Sequence, residues 1–308
     1  MPRLSKKYRR IYRRLTNFEL QATTPGEKLI SADDIFGDLT EKERPHLFLN
    51  FYSEQGIKNG LEEYGIFDSL RKQGFKDFII KVNARDPYRH ALKIYFEKEK
   101  NNHLLGELHV RKKNSVARPV FSSEIEGHRF TLVFIEWLTL QNPTATFTTN
   151  RPPLPGQKYP GLKIGREVLG VLINMTKRLK TDGLLNIPDH YHNAVFYSRS
   201  FKFFDPHSQG LFLALKRDLK NYDIGQAAWS VELECVIEKK SGKNWKWFTQ
   251  EQILPVSKKM QNYFTSENYL RQVNDAKEKY KYEIDIQKFN ELISKQSAAK
   301  IVELVKKN

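Results

Sequence analysis

An apolar strand, a glycine-bearing loop and a strongly periodic helix follow one another between residues 130 and 180, and this succession constrains the fold more than any other feature. Phe130–Leu140 reads as one long strand, with Leu132, Phe134, Glu136 and Leu138 on one side and Thr131, Val133, Ile135, Trp137 and Thr139 on the other. Both sides are largely apolar, which predicts a central position in a sheet. The loop Leu154-Pro155-Gly156-Gln157-Lys158-Tyr159-Pro160-Gly161-Leu162-Lys163-Ile164-Gly165-Arg166 leads into a helix over 165–180. There Val168, Leu169, Val171, Leu172, Met175 and Leu179 recur at helical spacing on one face. A glycine-bearing loop at a helix N-terminus presents unpaired N–H groups at the positive end of the helix dipole, an arrangement suited to phosphate. The same glycines can equally serve backbone freedom alone.

The rest of the chain supplies strands and helices around this centre. Leu47–Phe51 and Tyr64–Gln73 read as helical, and Gly74 as a helix stop. Phe78–Val82 reads as a strand; Ala91–Lys98 and Leu104–Arg111 alternate as two more, joined by a turn at 99–102. Thr23–Gly26 marks a loop, and Asp33 or Asp34 suits a helix cap. The segment from Asn142 to Pro160 carries five prolines and is long for a loop inside a domain, a trait of functional loops. Beyond the central helix come a strand at Leu184–Ile187, a helix opened by Pro188-Asp189 and running to about Arg199, and an extended run at Phe201–Phe204. A helix from His207 to about Asn221, a strand at Trp229–Ile237 and an amphipathic helix over 286–306 complete the pattern. The expected class is α/β (α+β), a central mixed sheet flanked by helices. A basic helical arm (1–45) precedes a main domain (46–206), and an α+β extension (207–308) follows it.

With 308 residues, 39% of them apolar, the chain can bury a sizeable core. Its one cysteine, Cys235, forms no intramolecular disulfide, which fits a reducing, cytoplasmic setting. No apolar run approaches the ~18 residues of a membrane span, and no apolar segment follows the basic N-terminus as in a signal peptide. The formal charge is +16, and Arg3, Lys6, Lys7, Arg9, Arg10, Arg13 and Arg14 crowd into the first fifteen residues. Leu4, Tyr8, Ile11, Tyr12 and Leu15 recur among them at helical spacing. Three readings stand: a basic helix contacting nucleic acid or an anionic membrane through residues 3–14, a helix packed on the protein with a solvated basic face, or an organellar transit peptide.

The order strand, strand, long strand, glycine loop, helix, strand, helix, Tyr, aromatic strand resembles the GNAT acyltransferase superfamily over roughly residues 65–206. Pro160-Gly161-Leu162-Lys163-Ile164-Gly165-Arg166-Glu167-Val168-Leu169 is similar to the family's Arg/Gln-x-x-Gly-x-Gly/Ala pyrophosphate loop and its helix. His192-Asn193-Ala194-Val195-Phe196-Tyr197-Ser198-Arg199-Ser200-Phe201 is similar to its Asn/Ala helix and Tyr-bearing segment. Leu105-Gly106-Glu107 and Phe134–Leu140 resemble its third and fourth strands. The chain departs at Pro160, where the family has Arg or Gln, at Lys163, where it has the first close glycine, and at Ser200, which precedes Phe201 where the family has glycine.

The resemblance implies a GNAT-like fold and an acyl-CoA-dependent N-acyltransferase using acetyl-CoA or another acyl-CoA on a small-molecule or protein amine. It implies that Gly161, Lys163, Ile164, Gly165 and Arg166 hold the diphosphate and that Asn193 contacts the cofactor. Backbone N–H groups around Leu138 and Leu140 would face the thioester carbonyl. It also implies Glu136 as the proton relay for the amine and Tyr197 as the acid for the leaving thiolate. A reading of another class is a catalytically silent GNAT-like module that holds nucleic acid or another polyanion.

Other constellations are weaker. His190-Tyr191-His192 has metal-pair spacing, but a helix start there predicts that the two rings diverge, so no metal is expected. Asp86-Pro87-Tyr88-Arg89-His90 reads as a surface turn or a substrate-recognition loop, the turn being favoured. Cys235 reads as a buried inert thiol, and Trp245-Lys246-Trp247-Phe248 as an edge hairpin packed on the core in preference to a base-stacking surface.

Overall fold

Residues 6–22, 47–148 and 151–295 are described by the structure, a computed structural model. The Thr23–Gly26 turn, the Asp33 or Asp34 cap, Arg3, Leu4 and the tail beyond residue 295 lie outside them. The apolar alternation of the sequence becomes a mixed sheet of β1 (Phe78–Asn83), β2 (His90–Phe96), β3 (Leu104–Val116), β4 (Arg129–Leu140), β5 (Gly183–Asn186), β6 (Lys202–Phe203) and a later strand, β9 (Gln252–Pro255). Their order is β1-β2-β3-β4-β5-β9-β6. Every neighbouring pair is antiparallel except β4 and β5, which run parallel and are joined by the periodic helix α5 (Gly165–Arg178). The architecture is therefore α+β with helices on a mixed sheet, and β4 lies at its middle. Part of the stretch expected as a C-terminal extension returns to this sheet, since β9 pairs with both β5 and β6.

A bulge in β4 changes the expected sidedness of that strand. Trp137 pairs with His109, but Ile135 pairs with Val110, so Glu136 is the extra residue. Alternation holds up to Ile135 and then resets. Val133, Ile135, Leu138 and Leu140 share one apolar cluster, whereas Phe130, Leu132 and Phe134 belong to another. Leu138 thus lies on the side opposite to that predicted by a regular strand.

The first cluster packs the sheet against α5, α3 (Glu54–Glu63), α4 (Ile66–Arg71) and the N-terminal helices α1 (Lys6–Arg14) and α2 (Asn17–Gln21). In α1, Ile11 is buried and Tyr8 stacks on Tyr64 at 5.2 Å between ring centroids. A Cβ at Gly170 of α5 would come within 3.0 Å of the Tyr8 ring, so that glycine permits the close helix contact. Arg178 of α5 donates to the carbonyl oxygens of Tyr12 and Leu15 and lies over the Tyr12 ring at 4.6 Å. Helix α1 is thus packed on the protein through its apolar face, while Lys6, Lys7, Arg9, Arg10 and Arg13 remain exposed.

The second cluster covers the opposite face with α9 (Lys258–Thr265) and α10 (Glu267–Lys279). A third gathers α6 (Tyr191–Tyr197), α7 (Pro206–Asp218), α8 (Ile224–Glu232) and α11 (Ile286–Lys295) around a small sheet of β7 (Val236–Glu238), β8 (Lys243–Asn244) and β10 (Tyr282–Ile284). Trp245, Trp247 and Phe248 pack there, and Cys235 is fully buried with its thiol directed at the Leu233 carbonyl.

Three local expectations are corrected. Leu47–Phe51 is a turn closed by a Phe48–Tyr52 bridge, and the helix begins only at Glu54, capped by Ser53. Trp229 lies in α8 rather than a strand. Asp223 and Gln226 form a capping box that starts that helix and outweighs the apolar run after it. The helix after Pro188 spans only Tyr191–Tyr197, because His190 retains an extended backbone.

Candidate functional site

The parallel pairing of β4 and β5 covers only Leu132–Ile135 against Gly183–Asn186. Past Ile135 the two strands separate. The next bridge on that side of β4 joins Gln141 to Gly161 of the long loop. Residues 136–140 therefore face a wedge on the β5 side with no strand opposite among the described residues, and the bulge at Glu136 lies where the wedge opens. Backbone polar groups on such an edge are available to an extended ligand.

A cleft of about 1740 Å³ occupies this wedge. Its walls are the exposed edge of β4, the 151–166 loop, the N-terminal half of α5, residues 186–190 after β5, and α6. That volume exceeds the ~300–1,000 Å³ of ordinary small-molecule pockets. Of the residues singled out from the sequence, Glu136, Leu138, Leu140, Gly161, Lys163, Gly165, Arg166, Asn193 and Tyr197 all line it. Ile164 does not: its side chain is buried in the apolar core beneath the loop.

Several hydrogen bonds hold the loop in place. Asn142 N–H donates to the Pro160 carbonyl at 2.7 Å, Arg151 Nη2 to the Gly161 carbonyl at 2.8 Å, and Gln73 Nε2 to the Leu162 carbonyl at 3.0 Å. Trp229 Nε1 anchors Pro153 from α8 at 2.9 Å. Lys163 adopts φ 60°, the left-handed region natural to glycine, and its side chain is exposed. The lysine thus keeps a glycine-like backbone at a cost of about 1 kcal/mol. Ile164 gives α5 no side-chain cap, and a Cβ at Gly165 would meet nothing within 4 Å. The start of α5 therefore opens onto the cleft, where Lys158, Lys163, Arg166 and Arg199 add positive charge.

Glu136 is already engaged. Its carboxylate meets Arg89 Nε at 2.6 Å and Arg111 Nε at 2.8 Å. Oε2 and Arg111 Nε are nevertheless buried without an aligned hydrogen bond, so the contact is one of charge rather than of directed donors. A proton relay through Glu136 requires one of these pairs to open. Nearby Glu107 receives Lys93 at 3.1 Å and contacts His109 Nε2 at 2.9 Å. Burial alone would raise its pKa, but these two partners bring it below the usual carboxylate range. Tyr197 is tucked against Phe201, and burial raises its pKa, keeping the phenol protonated. Among the described residues its hydroxyl has no hydrogen-bond partner.

The structure adds a polar group that spacing did not reveal. The His190 and His192 rings stack at 5.3 Å instead of diverging, because the extended backbone at His190 precedes the helix. His190 Nδ1 meets Glu232 of α8 at 2.9 Å, and its Nε2 lies against Gly156, where a Cβ would come within 2.8 Å. His192 Nδ1 and Asn186 Oδ1 are both buried without partners, and both residues line the cleft. Gln252, the register partner of Asn186, also has an unsatisfied buried amide. The sequence signal for this group was an Asn at a strand end and a His at a helix start, neither informative without the β9 pairing. No group of three or more metal-ligating side chains occurs among the described residues.

These histidines predict a pH dependence. Burial, with His190 beside it, lowers the His192 pKa to about 4, and burial also lowers that of His90, whose Nδ1 accepts the Leu49 N–H at 2.6 Å. Both groups bind a proton more readily when unfolded, so stability rises with pH across this window. The unfolding free energy is expected to fall as pH drops from 6.5 toward 4, His192 alone contributing on the order of 3 kcal/mol. Urea unfolding at several pH values checks this, and His192→Asn should flatten the slope.

No family model matches this chain, and no curated protein matches it either. Among the described residues no helix is long and apolar enough to cross a membrane.

Proposed function

We propose that the chain is a GNAT-type acyltransferase that transfers an acyl group from acyl-CoA to an amine. The observation that carries this reading is the parting of β4 from β5 beyond Ile135, with a bulge at Glu136 and a cleft leading to the open N-terminus of α5. A pantetheine arm is an extended chain with amide groups, and an unpaired strand edge supplies amide partners for it. A diphosphate requires N–H donors and positive charge, and the 161–166 loop at the head of α5 supports that role.

In this reading the amine nitrogen attacks the thioester carbonyl carbon, the N–C bond forms and the C–S bond breaks. The oxyanion is held by backbone N–H groups of the free β4 edge near Leu138 and Leu140. Tyr197, kept protonated by burial, donates to the departing thiolate. Glu136 orders Arg89 and Arg111 at the bulge and takes up the amine proton only when one of them is drawn away by the acceptor.

A second reading has its own observation. Among the described residues Arg14 is the sole cation of α1 in an ion pair, with Glu63, and the remaining basic face is solvated. That face suits a polyanion, with binding that weakens steeply as salt rises. Calorimetric titration with CoA and acetyl-CoA separates the two readings. The transferase reading expects saturable micromolar binding of both, and absence of heat from a folded sample would overturn it in favour of the polyanion reading.

A further inference from the structure

We infer that the preferred donor carries a short acyl chain longer than acetyl, housed in an apolar cavity behind the cleft; this rests on the acyl-CoA reading above. A cavity of about 100 Å³ lies between the sheet and helices α3, α4 and α5. Leu138, Leu140, Leu162 and Leu172, with Glu107, line both this cavity and the cleft, so the two spaces share a wall.

The β4 bulge makes that wall possible. It turns the Leu138 and Leu140 side chains toward the helices, while their backbone runs along the split from β5. A thioester placed at the free edge of β4 has its acyl carbon beside these two leucines, at the cavity mouth. Gly106 of β3, paired with Leu140, keeps the inner side open: a Cβ there would stand 3.6 Å from Leu140 Cδ2 and 3.9 Å from Ile94 Cδ1. Protein cores hold few voids larger than a water molecule, and an apolar one stays dry until an apolar group enters it. At roughly 30 Å³ for each water-sized group, the space takes three or four carbons.

The test is calorimetric titration with CoA, acetyl-CoA, butyryl-CoA and decanoyl-CoA. Butyryl-CoA should bind about 15-fold more tightly than acetyl-CoA, near fourfold per methylene, and decanoyl-CoA no more tightly than butyryl-CoA. Gly106→Val fills the cavity and should reduce the butyryl advantage to within threefold without changing CoA affinity. Ile94→Ala enlarges the same space, and should move the optimum to a longer chain even if the valine variant does not fold. Equal affinity for CoA, acetyl-CoA and butyryl-CoA would overturn this inference and leave the acyl-CoA reading intact. Binding of none of the four would overturn both.

Discussion

Replacing Gly165 with Glu is expected to weaken CoA binding at least ~100-fold while leaving the melting temperature unchanged or slightly raised. The two effects have opposite signs for a physical reason. Nothing within 4 Å would meet the new Cβ, so the fold accommodates the side chain. An acidic residue in the first turn of a helix favours the dipole, and removal of an exposed helical glycine adds stability. The same carboxylate stands where the diphosphate is proposed to lie, and like charges at a desolvated contact cost several kcal/mol. Calorimetry and thermal denaturation on one preparation read both effects. Unaltered CoA affinity in the variant would remove the diphosphate from the 161–166 loop.

Gly56→Ala should destabilise the protein by about 3 kcal/mol or more, a fall in melting temperature of at least about 5 °C. A Cβ at this position would lie 2.0 Å from the Leu20 carbonyl oxygen and 2.4 Å from its carbon, both backbone atoms. That oxygen is fixed by the Ser53 N–H at 3.0 Å, so α2 and α3 must separate to admit a methyl group. The control is Gly60→Ala, one turn along α3, where a Cβ would meet only Leu20 Cδ2 at 3.8 Å. There the substitution should stabilise by up to about 1 kcal/mol, since glycine is the poorer helix former. Equal effects of the two alanines would contradict the close packing of α2 on α3.

These glycines also explain what could be read from the sequence. The span of β4 was legible because twelve residues of strand-forming chemistry stand together, but the reset at Glu136 was not. A bulge depends on pairing with β3, and only the offset between His109/Trp137 and Val110/Ile135 reveals it. Helix α5 was legible from its periodicity. Helix α3 was not, because Gly56 and Gly60 argue against a helix until Leu20 is known to press on it. The apolar run Trp229–Ile237 suits a strand, but the Asp223–Gln226 capping box, a local signal in the sequence, starts a helix that takes up its first residues. Strand β9 is not legible in the sequence because its four residues, ending in a proline, carry little pattern, and its place depends on β5 and β6.

The candidate site divides in the same way. A motif brought Gly161, Lys163, Gly165 and Arg166 to notice, and the cleft unites them with Leu138, Leu140, Asn193 and Tyr197. The Arg89–Glu136–Arg111 contact and the Asn186 and His192 polar group are products of tertiary structure, formed by residues far apart in sequence.

Backbone hydrogen exchange with and without saturating CoA tests the central claim most directly. Occupation of the wedge by the cofactor should slow exchange at residues 136–140 of β4 and 161–167 at the head of α5, with α1 unchanged. Unaltered exchange in both segments at millimolar CoA, or protection confined to α1, would contradict it.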